Sequence, residues 1–121
     1  MSQSLINRKS LNEFMEDDPE LLGDLSILFV RALPDVLAKL NFSIENSDPD
    51  SLRESAHQLK SQLSYFFCES LVNHALELEE LGRQDNTRDA KTVATDLNRG
   101  IDELLIELNQ LTGLTLSIEE D

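Results

Sequence analysis

A chain of 121 residues fits one domain and can bury around two thirds of its unfolded surface in a single core. Ten basic residues against 24 acidic ones leave a net charge of −14, which repels both nucleic-acid phosphates and anionic membrane and so disfavours DNA binding. The acidity serves solubility first and steering toward a basic partner surface second. No apolar run reaches the roughly 18 residues of a membrane span, and no basic-then-apolar amino terminus marks a secretory signal, so a soluble cytoplasmic protein is expected. The single cysteine, Cys68, can form no internal disulfide.

Four glycines and three prolines among plentiful Leu and Glu favour helix, and the elements follow in order. Residues 1–9 are short, polar and expected to be loosely ordered. Ser10 with Glu13 three residues on forms a capping box, which predicts a short helix carrying Leu11, Phe14 and Met15 across the end of a bundle. Asp18 followed by Pro19 is a strong helix start, since proline at the first helical position loses no hydrogen bond. From there Leu22, Leu25, Phe29, Leu33, Val36, Leu40 and Ile44 keep helical rhythm through Pro34, which predicts one helix bent near Val30 to Pro34.

Asp48-Pro49 repeats the start signal and opens a helix running to about Phe66, with Leu52, Ala56, Leu59, Leu63 and Phe66 as its buried stripe. His57 lies about 100° round from that stripe, on a side shared with Arg53, Lys60, Ser61 and Ser64. Nothing bulky on its own helix shields it. Cys68 opens the next helix, whose apolar face is Leu71, Ala75, Leu78 and Leu81, and Gly82 is placed to end it in a left-handed cap. Arg83 to Arg88 reads as the turn. A last helix carries Val93, Leu97, Ile101, Leu104, Leu105, Leu108 and Leu111, with Gly113 just past its end and Gly100 inside it as a mark of close packing. The tail from Leu114 alternates apolar and polar residues, so it either packs back or runs free, with disorder expected at its acidic end.

Four striped helices with short turns and no strand pattern imply an all-α, antiparallel four-helix bundle with a short N-terminal lid helix. The expected organisation is a single domain over residues 1–121, its ordered core spanning about 10–112 and its tail 113–121.

The run Ala56-His57-x-Leu59-Lys60-Ser61 resembles the histidine-containing phosphotransfer (HPt) domain of bacterial two-component phosphorelays. In that family the pattern is His-x-Leu-Lys-Gly, followed by small residues and a second glycine where the helix ends. The likeness extends upstream through Asp18-Pro-Glu-Leu-Leu and Pro34, and downstream through the Leu- and Glu-rich segment from Leu71 to Leu81. Ser61 stands where the family has its first glycine and Phe67 where it has the second.

The resemblance implies a phosphoryl carrier, with His57 accepting a phosphoryl group from an aspartyl phosphate on the receiver domain of a hybrid sensor kinase and passing it to a response regulator. A neutral imidazole, with a reference pKa of about 6.5, keeps a lone pair near neutral pH and is a competent nucleophile toward phosphorus, here expected through Nε2. Lys60, one turn on, is expected to offset phosphoryl charge. Arg53, Gln58, Ser61, Ser64 and Phe67 are the expected partner contacts. The resemblance implies that the receiver supplies Mg²⁺; on this chain no acidic cluster beside His57 suits a metal cage, so no metal is assigned to it. The chain has no room for a nucleotide-binding kinase domain, so no kinase or phosphatase site of its own is expected, and a monomer is the expected state. His74 reads as a core-edge histidine and Cys68 as a small packing residue; a zinc site built on His57, His74 and Cys68 would need a tertiary coincidence. The alternative from a different class is a helical adaptor that binds a receiver or regulator without carrying phosphate, a reading kept open by Phe67.

Overall fold

The computed structural model describes residues 4–118. Five helices, and no strand among the described residues, make up the protein: α1 (Arg8–Phe14), α2 (Pro19–Glu45), α3 (Pro49–Ser64), α4 (Glu69–Arg83) and α5 (Thr87–Thr112). The two Asp-Pro starts form as the sequence predicts. Asp18 accepts hydrogen bonds from the amides of Glu20 and Leu21 at 3.0 and 3.3 Å, and Asp48 from that of Ser51 at 3.2 Å, satisfying donors that the first turn leaves unpaired. α2 runs as one helix through Pro34.

α2, α3, α4 and α5 contact one another in a closed ring, each touching two neighbours. The predicted stripes meet inside it: Leu52, Ala56, Leu59 and Leu63 of α3, Leu71, Ala75 and Leu78 of α4, and Leu97, Ile101, Leu104 and Leu108 of α5 are all buried. Gly100 of α5 marks a close approach, since a β-carbon there would overlap the Leu71 side chain.

Three expectations require correction. The N-cap of α1 is Asn7, not Ser10: the Asn7 side chain accepts from the Ser10 amide at 3.1 Å, so the helix starts before the capping box. Gly82 does not terminate α4 but lies inside it, where the glycine has room that no side chain would have against the first turn of α3; the left-handed residue after the helix is Asp85, with φ of 55°. The polar run from Arg83 accordingly splits, with α4 ending at Arg83 and α5 starting at Thr87 under the Asn86 cap.

Of the residues expected to be loose, 4–9 are held. Ile6 is buried, the Asn7 amide donates to the Phe67 carbonyl at 2.9 Å, and Glu107 of α5 accepts from the Ser4 hydroxyl, from the Leu5 amide at 2.9 Å and from Arg8 Nε at 3.1 Å. Residues 1–3 lie outside the described range. At the other end Gly113 takes a left-handed conformation, φ 73°, closing α5 as expected. Beyond it the tail turns back, its Leu116 backbone bonded in both directions to the Asn109 side chain, and Leu116 and Ile118 pack on the core. The acidic end, 119–121, lies outside the described residues.

Candidate functional site

The buried stripe of α3 sets the rotation of the helix, and that rotation leaves the His57 side chain 60% exposed. Arg53, Gln58, Ser61 and Ser64 are exposed on the same helix. Ser61 and Ser64 turn their hydroxyls back to the carbonyls of His57 and Lys60, at 3.2 and 2.8 Å, which leaves only small, self-satisfied groups above the imidazole.

The partner of His57 comes from α4. Glu79, buried on the face that α4 turns to α3, places Oε2 at 2.8 Å from His57 Nδ1 and Oε1 at 2.7 Å from Lys60 Nζ. Arg83, one turn along α4, brings Nη2 to 3.6 Å from Glu79 Oε2 while Nη1 bonds Glu80 at 3.2 Å. Burial alone would raise the Glu79 pKa, but hydrogen bonds from Lys60 and His57, and the charge behind them, hold it below the ordinary value of 4.5. Glu79 is thus an ionised acceptor near neutral pH. Its contact with Nδ1 therefore assigns the ring proton to Nδ1 and leaves the lone pair on Nε2, the nitrogen turned to solvent.

Sequence reasoning missed Glu79 and Arg83. It looked for the neighbours of His57 only along α3, whereas the carboxylate arrives from the neighbouring helix. A signal existed: Glu79 lies four residues after Ala75 and three before Gly82, on the buried side of α4, where an unpaired carboxylate would be costly. Lys60 sits one turn from His57 as expected, but its ammonium is engaged with Glu79 rather than standing free.

The aromatic run divides. Phe66 enters the core beside Phe29, with ring centroids 4.9 Å apart, and Tyr65 is exposed. Phe67 is half-buried under α1, its ring 5.6 Å from that of Phe14 in an edge-on contact. It adopts φ of 54°, the left-handed conformation that glycine tolerates best. Ten residues from His57, it is roughly 15 Å away along the helix direction and is not brought to the imidazole.

His74 is half-buried on α4, its Nδ1 shut from solvent without a hydrogen-bond partner. Burial pushes the Cys68 thiol up to about 12, its own backbone hydrogen bond opposing and the Glu107 charge adding to the rise. Among the described residues no group of three or more His, Cys, Asp or Glu side chains is placed to hold a metal ion. No described helix is long and apolar enough to cross a membrane.

The site is thus a solvent-open imidazole with one nitrogen held by a buried carboxylate, carried on a ring of helices. The family model for the Hpt domain matches residues 10–113, and the chain belongs to that family. The crystal structure of histidine-containing phosphotransfer protein B (HptB) from Pseudomonas aeruginosa PAO1 is similar, with 26% sequence identity and a TM-score of 0.74 over 93% of this chain and 97% of that one. A comparison with curated proteins returned no match. The protein is a histidine phosphotransfer intermediate of phosphorelays, with receiver domains as its partners.

Proposed function

We propose that His57 is the residue that carries the phosphoryl group. The observation that supports this best is the 2.8 Å contact between His57 Nδ1 and buried Glu79, which leaves Nε2 as the exposed nucleophile. The aspartyl phosphate of a receiver in a hybrid sensor kinase presents its phosphorus to Nε2; the N–P bond forms as the acyl P–O bond breaks, and the electron pair leaves with the aspartate. The reverse of this step delivers the group to a response regulator. Positioning and charge neutralisation carry such transfers, so Mg²⁺ held by the receiver and the Lys60 ammonium beside the site supply the positive charge.

Arg53, Gln58, Ser61 and Ser64 form the docking face around His57, and Phe67 contributes by holding the end of α3 under α1. The ring of α2 to α5 is an antiparallel four-helix bundle with α1 as its lid, a single domain over the whole chain, acting as a cytoplasmic monomer. It is a carrier with no kinase or phosphatase site of its own. Transfer from a radiolabelled, Mg²⁺-loaded receiver to the wild type and to H57Q tests the assignment. Acid-labile, base-stable label on the wild type and none on H57Q is the expected result. If neither takes label while both bind the receiver, the adaptor reading replaces the carrier.

A further inference from the structure

The acceptor on His57 Nδ1 is a full carboxylate, buried and shared with an ammonium, and this bears on the phosphorylated state as well as the resting one. Among the described residues Glu79 is the only ion-pair partner of the His57 ring. The remaining charges on this face are Arg53, Glu54 and Lys60 on α3 and Glu80 and Arg83 on α4, and no group of α2 or α5 forms an ion pair with the cluster.

When Nε2 takes the phosphoryl group, its lone pair is consumed in the N–P bond and the ring becomes a phosphoimidazolium that still holds its Nδ1 proton. No proton moves in the transfer. Two fates follow. If the Nδ1 proton stays, the reverse step breaks the N–P bond to release neutral imidazole, a good leaving group. If it is lost to water, the leaving group is an imidazolate, and departure is far harder.

We infer that Glu79 is a positioning residue whose negative charge keeps the Nδ1 proton on phosphorylated His57, so that the phosphoryl group stays ready to leave at neutral and mildly alkaline pH. An amide in the same place would accept the same hydrogen bond and fix the same tautomer without stabilising the cation. Lys60 complements this arrangement. Its ammonium, 2.7 Å from the second Glu79 oxygen, keeps the carboxylate ionised and aimed, and so prevents Glu79 from taking up the proton itself.

The inference rests on His57 as the carrier, and its test separates the two. The wild type, E79Q and H57Q are each incubated with a labelled receiver and Mg²⁺, and from the variants that take label the transfer back to unphosphorylated receiver is timed from pH 5.5 to 9. Transfer from E79Q is expected to match the wild type at the acid end and to fall about tenfold behind it at the alkaline end, the size of effect one adjacent opposite charge exerts on a titration. In the ¹⁵N spectrum of the phosphorylated wild type, Nδ1 of His57 is expected to keep its protonated shift at pH 8. This second readout needs no variant and stands even if E79Q does not fold. Label on H57Q would overturn the carrier assignment itself. Superimposable pH profiles for wild type and E79Q, or a deprotonated Nδ1 in the wild type at pH 8, would overturn the role of Glu79 alone.

Discussion

Gly82 lies so close to Arg53 that a β-carbon built on it would stand 2.9 Å from the Arg53 amide nitrogen, and 2.8 Å from the Pro49 carbonyl oxygen. These are backbone atoms of the first turns of α3, so no rotamer change relieves the overlap. The close approach sets the spacing of α3 and α4, and through it the reach of Glu79 to His57. Alanine at this position gains about 1 kcal/mol of helix propensity but meets an overpacking cost of about 3 kcal/mol. G82A is expected to lose about 2 kcal/mol in urea unfolding, with slower phosphotransfer as α4 is pushed outward. An unchanged urea midpoint would show that the helices part without cost.

Acid should weaken the fold through two buried carboxylates. Burial opposes ionisation of Glu79 and of Glu107, but hydrogen bonds from Lys60 and His57 in one case, and from Ser4, the Leu5 amide and Arg8 in the other, hold both pKa values below the ordinary 4.5. A carboxyl group depressed in the folded state adds stability that is complete above its unfolded value and is lost as pH falls through its folded one. The urea midpoint is therefore expected to hold steady down to the 4.5 of the unfolded chain and to drop below it. Each group contributes a slope of at most about 1.4 kcal/mol per pH unit. E107Q should remove its share of that slope. An equally steep acid limb in E79Q/E107Q would place the linkage elsewhere.

Cys68 should be chemically silent. Its thiol is buried, donates to the Leu63 carbonyl at 3.3 Å and is pushed up to about 12, so almost no thiolate exists at pH 8. Ellman's reagent is expected to find no reactive thiol in the native protein and one equivalent in guanidinium. Rapid modification of the folded protein would mean that the junction of α3 and α4 opens readily.

Phe67 combines a strained backbone with a useful ring. Its left-handed conformation costs about 1 kcal/mol, and glycine would recover this. The edge-on contact with Phe14 contributes about 1 kcal/mol, half-burial of the ring about 1 kcal/mol more, and a glycine adds about 1 kcal/mol of chain entropy to the unfolded state. F67G is thus expected to be about 2 kcal/mol less stable, with transfer to His57 within about twofold of wild type because the residue lies roughly 15 Å away. A stable F67G that accepts label much more slowly would put the ring in the docking surface instead.

What could be read in advance follows from what is local. The stripe of Leu52, Ala56, Leu59 and Leu63 was legible because burial of one helix face writes a 3.6-residue period into the chain, and it was enough to place His57 on the open side. Asp18-Pro19 and Asp48-Pro49 were legible because capping needs only neighbours. Glu79 was not, since its meeting with His57 depends on how two helices rotate against each other. Gly82 misled for a similar reason: glycine after an apolar stripe more often ends a helix than accommodates a neighbouring one. Asn7 and Ser10 are both good caps, and what favours Asn7 is its bond to the carbonyl of Phe67, far along the chain. The left-handed residues at the turns, among them Asp17, Ser47 and Asp85, carry side chains rather than being glycines, so turn geometry was invisible to a search for glycine.

The grip of Glu107 on Ser4, Leu5 and Arg8 has a consequence for the order in which the protein assembles. It joins the first described residues to the last helix, closing a loop of 103 residues between Ser4 and Glu107. Loop closure of that length is entropically unfavourable in an open chain, and the donors converge on Glu107 only when α5 is already docked. The clasp is therefore expected to close late, and a fluorophore at position 4 that changes after the helical signal has formed is the measurement that checks it.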